Sequence, residues 1–209
     1  MKDTLSHLFG SPLRLKLVRL FIFNPLVQFD VDIIAAKFGA KQSDVEKEAT
    51  ALTKIGLAKA GKVSKIVEKK KGKKIVTKKV RIPTWALAPK LAITEPLAQF
   101  LIAAQSLNHK DIVKRLEKAG RIKAIVVSGI FMRDAESSLD LFIVGEGLNS
   151  NVVDRIVKGI EADLGRDVRY AVLSSADYAY RATMNDKLVR DVRDYPHTVL
   201  VDKIGIFNA

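Results

Sequence analysis

The chain has 209 residues, is 48% hydrophobic and carries a formal charge of +13, from 36 Lys and Arg against 23 Asp and Glu. That is apolar enough for two small domains with real cores and too apolar for a disordered chain. There is no cysteine, which excludes disulfides and thiolate metal sites, and His7, His109 and His197 have no neighbours at metal-ligand spacing, so no metal and no cofactor is expected.

The longest uncharged run, Pro96 to His109, is too short and too polar to span a bilayer, and no signal-peptide layout is present, so a cytoplasmic protein is expected. The charge is unevenly placed. Between Lys59 and Lys90 stand 12 basic residues and one acid, while the remaining 24 basic and 22 acidic residues nearly cancel. Basicity confined to one segment points to a polyanionic partner rather than to general solubilisation.

In chain order, Ser11-Pro12 is a helix start. Leu13, Leu17, Leu20 and Phe21 mark its apolar face, Arg14, Lys16 and Arg19 are expected on its surface, and Asn24-Pro25 ends it. Asp30 caps a second, short helix with Ile33, Ile34 and Phe38 facing inward, closed by Gly39. Ser43-Asp44-Val45-Glu46 has the form of a capping box opening a third helix, whose apolar positions are Val45, Ala49, Leu52 and Ile55. Val63 to Val67 and Ile75 to Ile82 read as β-branched strands joined by a lysine-rich connection, and Trp85-Ala86-Leu87 is a candidate third strand. Two helices follow, one from Thr94 with Leu97, Phe100, Leu101, Ala104 and Leu107, the other from Asn108 with Ile112, Val113 and Leu116.

Three helices followed by a hairpin resemble a winged-helix DNA-binding domain, and residues 8 to 17, Leu-Phe-Gly-Ser-Pro-Leu-Arg-Leu-Lys-Leu, are similar to the first helix of bacterial winged-helix regulators. The resemblance implies that the exposed third helix and the wing contact duplex DNA. Lys41, Gln42, Ser43, Lys47, Thr50 and Lys54 are the base-reading candidates. Lys65, Lys69, Lys70, Lys71, Lys73, Lys74, Lys78, Lys79 and Arg81 are the phosphate-contact candidates.

From residue 122 the pattern changes. Ile122 to Val127 and Leu139 to Val144 are apolar runs of buried-strand length around a polar loop, followed by an amphipathic helix over 150–164, a strand over 168–173, a helix capped by Ser174, a helical turn from Lys187, and a last strand over 198–202. Strand, loop and a strand opening on an acid resemble the minimal nucleotidyltransferases of the DNA polymerase beta superfamily. Those enzymes place Gly-Ser after the first strand and Asp-x-Asp on the second, the paired carboxylates holding two Mg²⁺ ions with a third acid from a later strand. In this chain the positions read Ser128-Gly129 and Ser138-Leu139-Asp140, and the strand at 168–173 carries Arg169 and no acid. One carboxylate cannot hold two divalent ions, so Ser128, Gly129, Ser138 and Asp140 are expected to form a degenerate, non-catalytic nucleotide site. For Asp140 the structural alternative is a surface acid at a strand start. Tyr170, Tyr178, Tyr180 and Tyr195 are expected to be packing residues.

The whole reads as an α+β protein: a winged helix over 1–92 with its wing at 63–82, linking helices over 93–121, and a nucleotidyltransferase-like domain over 122–209 with a small mixed sheet. This pairing resembles uncharacterised bacterial proteins. The expected function is a DNA-binding transcription regulator, possible as a homodimer, with no membrane partner. The alternatives are an active nucleotidyltransferase modifying a protein or RNA, and an RNA- or ribosome-associated module.

Overall fold

A computed structural model describes residues 4–71, 74–104, 109–134 and 136–206, with backbone only for 67–71 and 74–78. Leu107, Asn108 and Lys73 lie outside the described residues, as do the side chains of Lys69, Lys70, Lys71, Lys74 and Lys78. The fold is α+β, as the sequence implies. It divides into two compact units, one of Met1–Ala104 with Ala162–Arg166, the other of Gln105–Glu161 with Asp167–Ala209. Of the expected linking helices, the first thus falls with the first unit and the second with the second.

The first unit opens with helices α1 (Thr4–Leu8) and α2 (Pro12–Phe23). Ser11 caps α2 as expected, its hydroxyl accepting from the Arg14 amide at 3.0 Å. The helix is buried nearly all round: Leu15, Val18 and Ile22 are covered as well as Leu17, Leu20 and Phe21. Arg19 is not on the surface, as expected from its charge, but 9% exposed, with its guanidinium donating to the Asp163 carbonyl at 2.7 Å. That bond lets a cation sit within the buried part of the helix.

Strand β1 (Phe29–Asp30) leads into α3 (Val31–Phe38), capped by Asp30, which accepts from the Ile33 amide at 2.9 Å. Gly39 closes it at φ +60, where a glycine is needed for a left-handed cap. Helix α4 (Gln42–Lys54) starts two residues too early for the expected capping box. Lys41 occupies the cap through its backbone alone, its carbonyl accepting from the Asp44 and Val45 amides at 3.1 Å, and Ser43 lies inside the helix. Val45, Ala49 and Leu52 are buried, but Ile33 and Ile55 are 49% and 73% exposed, contrary to expectation. Each lies just outside the arc of its helix that faces the core, beside the fully buried Ile34 in α3 and at the C-cap of α4.

The hairpin of β2 (Ala58–Lys71) and β3 (Lys74–Leu87) is longer than expected, and pairs without a register shift from Ala58↔Leu87 to Lys71↔Lys74. Trp85 to Leu87 is not a separate strand but the end of β3, where Trp85 and Thr84 also pair with Phe29 and Asp30 of β1. β1 takes the third position in the sheet that the sequence assigned to 85–87. Trp85, Ile82 and Leu87 join the helices in one core. Helix α5 (Thr94–Ala103) completes the unit and buries Leu101.

The second unit contains α6 (His109–Leu116), β4 (Arg121–Ser128), β5 (Leu141–Glu146), most of α7 (Ser150–Leu164), β6 (Tyr170–Leu173), α8 (Ser175–Thr183), α9 (Lys187–Asp194) and β7 (His197–Asp202). The sheet order is β6-β5-β4-β7, antiparallel except for the β5–β6 pair, so the small mixed sheet is present. β5 and β6 each begin two residues later than expected, at 141 and 170. Ile125, Val127, Leu141 and Ile143 are 0% exposed, and so are Ala124 and Val144 on the alternate positions. Burial of both faces is why these central strands read as continuous apolar runs. On one face Phe142, Val144, Ala124 and Val126 pack with Val192 of α9 and with Ile206.

The placement of α4 is checked by truncation. Leu52→Ala should cost about 2–5 kcal/mol, whereas Ile55→Ala should stay within about 0.5 kcal/mol of the parent, measured by chemical denaturation.

Candidate nucleic-acid interface and the loop between the central strands

Ser43, Lys47, Thr50 and Lys54 recur at spacings of four, three and four and therefore share the exposed face of α4. With Glu46 and Ala51 they line a shallow depression along the helix. Lys41 and Gln42 are exposed at its first turn, although the Gln42 amide donates to Asp32 Oδ1 at 2.6 Å. Of the acids on this helix, Glu48 is withdrawn from the surface charge: it accepts from the Ser11 hydroxyl at 2.9 Å and pairs with Arg14 Nε at 2.7 Å. Asp44 and Glu46 stay exposed.

The hairpin cations divide by strand alternation. Lys65 is not free for phosphate: its ammonium pairs with Asp30 Oδ2 at 2.6 Å and Asp32 Oδ2 at 3.4 Å. Burial pushes the Asp30 carboxyl up, but the Lys65 ammonium and the Ile33 amide outweigh it and hold the group below its ordinary value. Lys65 thus fastens the hairpin to α3, and Asp32 joins the first turn of α4 to the same network. On the opposite face of the ribbon, Lys79 opposes Ile66 and Arg81 opposes Ser64, two positions from Lys62 opposite Pro83. Residues directly opposed share a face, so Lys62, Lys79 and Arg81 form one exposed cationic row. Lys62 is a member that charge counting alone does not single out; its strand parity is the signal that could have found it.

In the second unit the four residues expected to form a degenerate site stand around one loop, but their polar groups are committed mainly to neighbours outside the four. Ser128 is 3% exposed; its hydroxyl donates to the Leu139 carbonyl at 2.6 Å and its amide to the Asp140 carbonyl at 2.9 Å. Gly129 has φ +49, and a Cβ there would lie 2.9 Å from the Leu139 oxygen and against the Asp140 carboxylate. Ser138 is exposed and donates to Asp191 Oδ2 of α9 at 2.8 Å, a partner 53 residues away that no local pattern could reveal.

Asp140 is not a surface acid. It is 1% exposed and accepts four hydrogen bonds: Oδ1 from the Ile130 amide at 2.9 Å and Arg169 Nη2 at 2.9 Å, Oδ2 from the Arg169 amide at 2.8 Å and Arg169 Nε at 3.0 Å. Burial pushes this carboxyl up, but the Arg169 guanidinium and the two amides more than offset it and hold the group below its ordinary value. The fork geometry is the strong, two-point form of carboxylate–guanidinium contact.

Among the tyrosines, Tyr178 packs in the core beneath the sheet, while Tyr180 is 67% exposed and does not pack as expected. Tyr170 donates to Asp154 Oδ1 at 2.6 Å, and that bond, with burial, pushes its hydroxyl up to about 12.

The chain matches no family model, no curated protein and no solved structure. The Mg²⁺ pair that the nucleotidyltransferase resemblance implies is therefore judged on the residues alone, and they do not fit it. Each Asp140 oxygen already accepts two hydrogen bonds, Ser138 offers a hydroxyl where the enzymes have a carboxylate, and the adjoining strand supplies a cation. Among the described residues no group of three or more His, Asp or Glu side chains is placed to hold a metal ion.

Arg169→Ala should destabilise the protein by about 1–3 kcal/mol, less than for a fully buried pair because the guanidinium is half-exposed. The folded-state value of Asp140 lies below its ordinary 3.8, so its contribution is present above that pH and is lost as pH falls through the folded value. Denaturation at pH 7 and pH 3 should show this acid loss in the parent and a smaller one in Asp140→Asn.

Proposed function

We propose that the protein binds duplex DNA through a winged helix formed by its first unit, as a transcription regulator, and that the second unit is a nucleotidyltransferase-like domain without catalytic activity. The observation that carries this reading is the exposed polar face of α4 together with the cationic row Lys62, Lys79 and Arg81 on one face of the adjoining hairpin. A helix of that size fits the major groove, and Lys47 and Thr50 have the chemistry for base edges and thymine methyls. The hairpin cations would follow phosphates and give affinity without sequence information.

The network of Lys65, Asp30, Asp32 and Gln42 supports the same reading, because a wing must be held in register with the reading helix to contact one duplex. For the second unit, the committed lone pairs of Asp140 support a binding or assembly role over nucleotide transfer.

Binding is tested by fluorescence anisotropy on labelled duplexes selected from a random pool. If four to six hairpin cations meet phosphates, the slope of log K against log salt should be roughly −3.5 to −5.5. Replacing Lys62, Lys79 and Arg81 with Ala should reduce its magnitude by about one per contact. Lys47→Ala should relax the selected sequence while leaving the slope within about one of the parent. Structured RNA competing as strongly as the duplex would overturn the reading in favour of an RNA-associated module, and unchanged affinity in the triple variant would remove the hairpin from it.

A further inference from the structure

Beneath the sheet of the second unit lies a cavity of about 220 Å³ that shares no residue with the Ser128–Asp140 loop. Its apolar wall is Phe142 of β5, Val189 and Val192 of α9, and Ile206; Phe142 and Val192 are almost fully buried. Tyr178 borders it with its hydroxyl already donating to the Ile206 carbonyl at 2.8 Å, so the ring contributes a face and not a free donor. Asp186 also borders it, but its carboxylate is engaged as the α9 cap, accepting from the Leu188 amide at 2.9 Å, and faces Arg181 at 3.4 Å.

Beside the neutral Asn185, the remaining polar groups that line the mouth are cationic. Arg190 and Arg193, three residues apart on α9, both line the cavity. Among the described residues the carboxylate within ion-pair reach of either is Asp194, at 4.0 and 3.7 Å, and all three side chains are about half-exposed. Such loose surface pairs contribute little, so a better-placed anion can displace Asp194 from both guanidiniums.

We propose that this cavity is a binding site for a small carboxylate with an apolar body, the body against Phe142, Val189 and Val192 and the carboxylate on Arg190 and Arg193. Size and charge both select this class. At about 220 Å³ the space is smaller than the about 300–1,000 Å³ of pockets that take drug-sized ligands, so it suits a small body better than a nucleotide. An apolar wall with one pair of fork-shaped donors suits a carboxylate better than a sugar, which would leave its hydroxyls unpaired against Phe142 and the valines. A small cation would meet two guanidiniums at the rim.

The test is calorimetric titration of the full chain with phenylacetate and, as a smaller probe, isovalerate, beside the neutral 2-phenylethanol and the cationic phenethylamine. Saturable binding of at least one carboxylate is expected, with Kd of about 1 mM or tighter. The alcohol should bind at least about tenfold more weakly, the cost of about 1.4 kcal/mol for a lost charge-assisted contact, and the amine not at all. Arg190→Gln with Arg193→Gln should bring the carboxylate down to the level of the alcohol. Ala182→Trp, at an exposed lining position, should block the cavity and abolish binding with an unchanged melting temperature. No saturable binding of either carboxylate, equal binding of the alcohol, or binding unaffected by Ala182→Trp would each overturn the proposal.

Discussion

The second unit depends on a carboxylate that has been taken out of water. Asp140 is 1% exposed, and an ionised group can stay there only if its lone pairs are filled. The Ile130 amide comes from the loop after β4, Asp140 itself stands at the start of β5, and Arg169, which supplies three donors, stands immediately before β6. The Asp140 and Leu141 amides return bonds to the Arg169 carbonyl at 2.8 and 3.1 Å. Three neighbouring strand ends are therefore registered through one side chain. Gly129 follows from the same constraint, because any larger residue would press on the carboxylate it helps to surround. An acid used this way is a joint, and a joint with no vacant lone pair has nothing to offer a divalent ion.

In the first unit, one residue type serves two purposes according to strand parity. Lys65 faces the acids at the start of α3 and is consumed in fastening the hairpin. Lys62 and Lys79 alternate to the other face, where no carboxylate of the described residues pairs with them. A basic segment read only as composition would give all of them the same role. The two-residue period of the ribbon separates an internal ion pair from a surface field.

Local chemistry was legible in the sequence; long-range pairing was not. The caps at Ser11, Asp30 and Ser174 were readable because each bond closes within three residues. The apolar runs of β4 and β5 were readable because both faces of those strands are buried. The box at Ser43–Glu46 misled because the pattern fixes residue types but not where the chain enters the helix, and the Lys41 carbonyl had already closed the first turn. The absence of an acid at Arg169 was visible; that Arg169 itself meets Asp140 was not, since 29 residues separate them. Asp191 against Ser138 is harder still, a contact created by packing α9 beside the loop.

The two cationic regions differ in a way that bears on what each can recognise. On the hairpin, from Ala58 to Leu87, 11 basic residues follow one another with one acid among them, and Lys62, Lys79 and Arg81 are exposed. Such an array is stabilised by an extended polyanion, whose bound counterions are released, and gains little from a single small anion that must shed its own hydration for one contact. On α9, two guanidiniums share one carboxylate beside an apolar wall of fixed size. A polyanion cannot enter that space, whereas a small carboxylate gains both the wall and the fork without ordering further side chains. On the proposed reading, charge density sets the first preference and enclosure the second. Net charge alone, which is what the composition records, distinguishes neither.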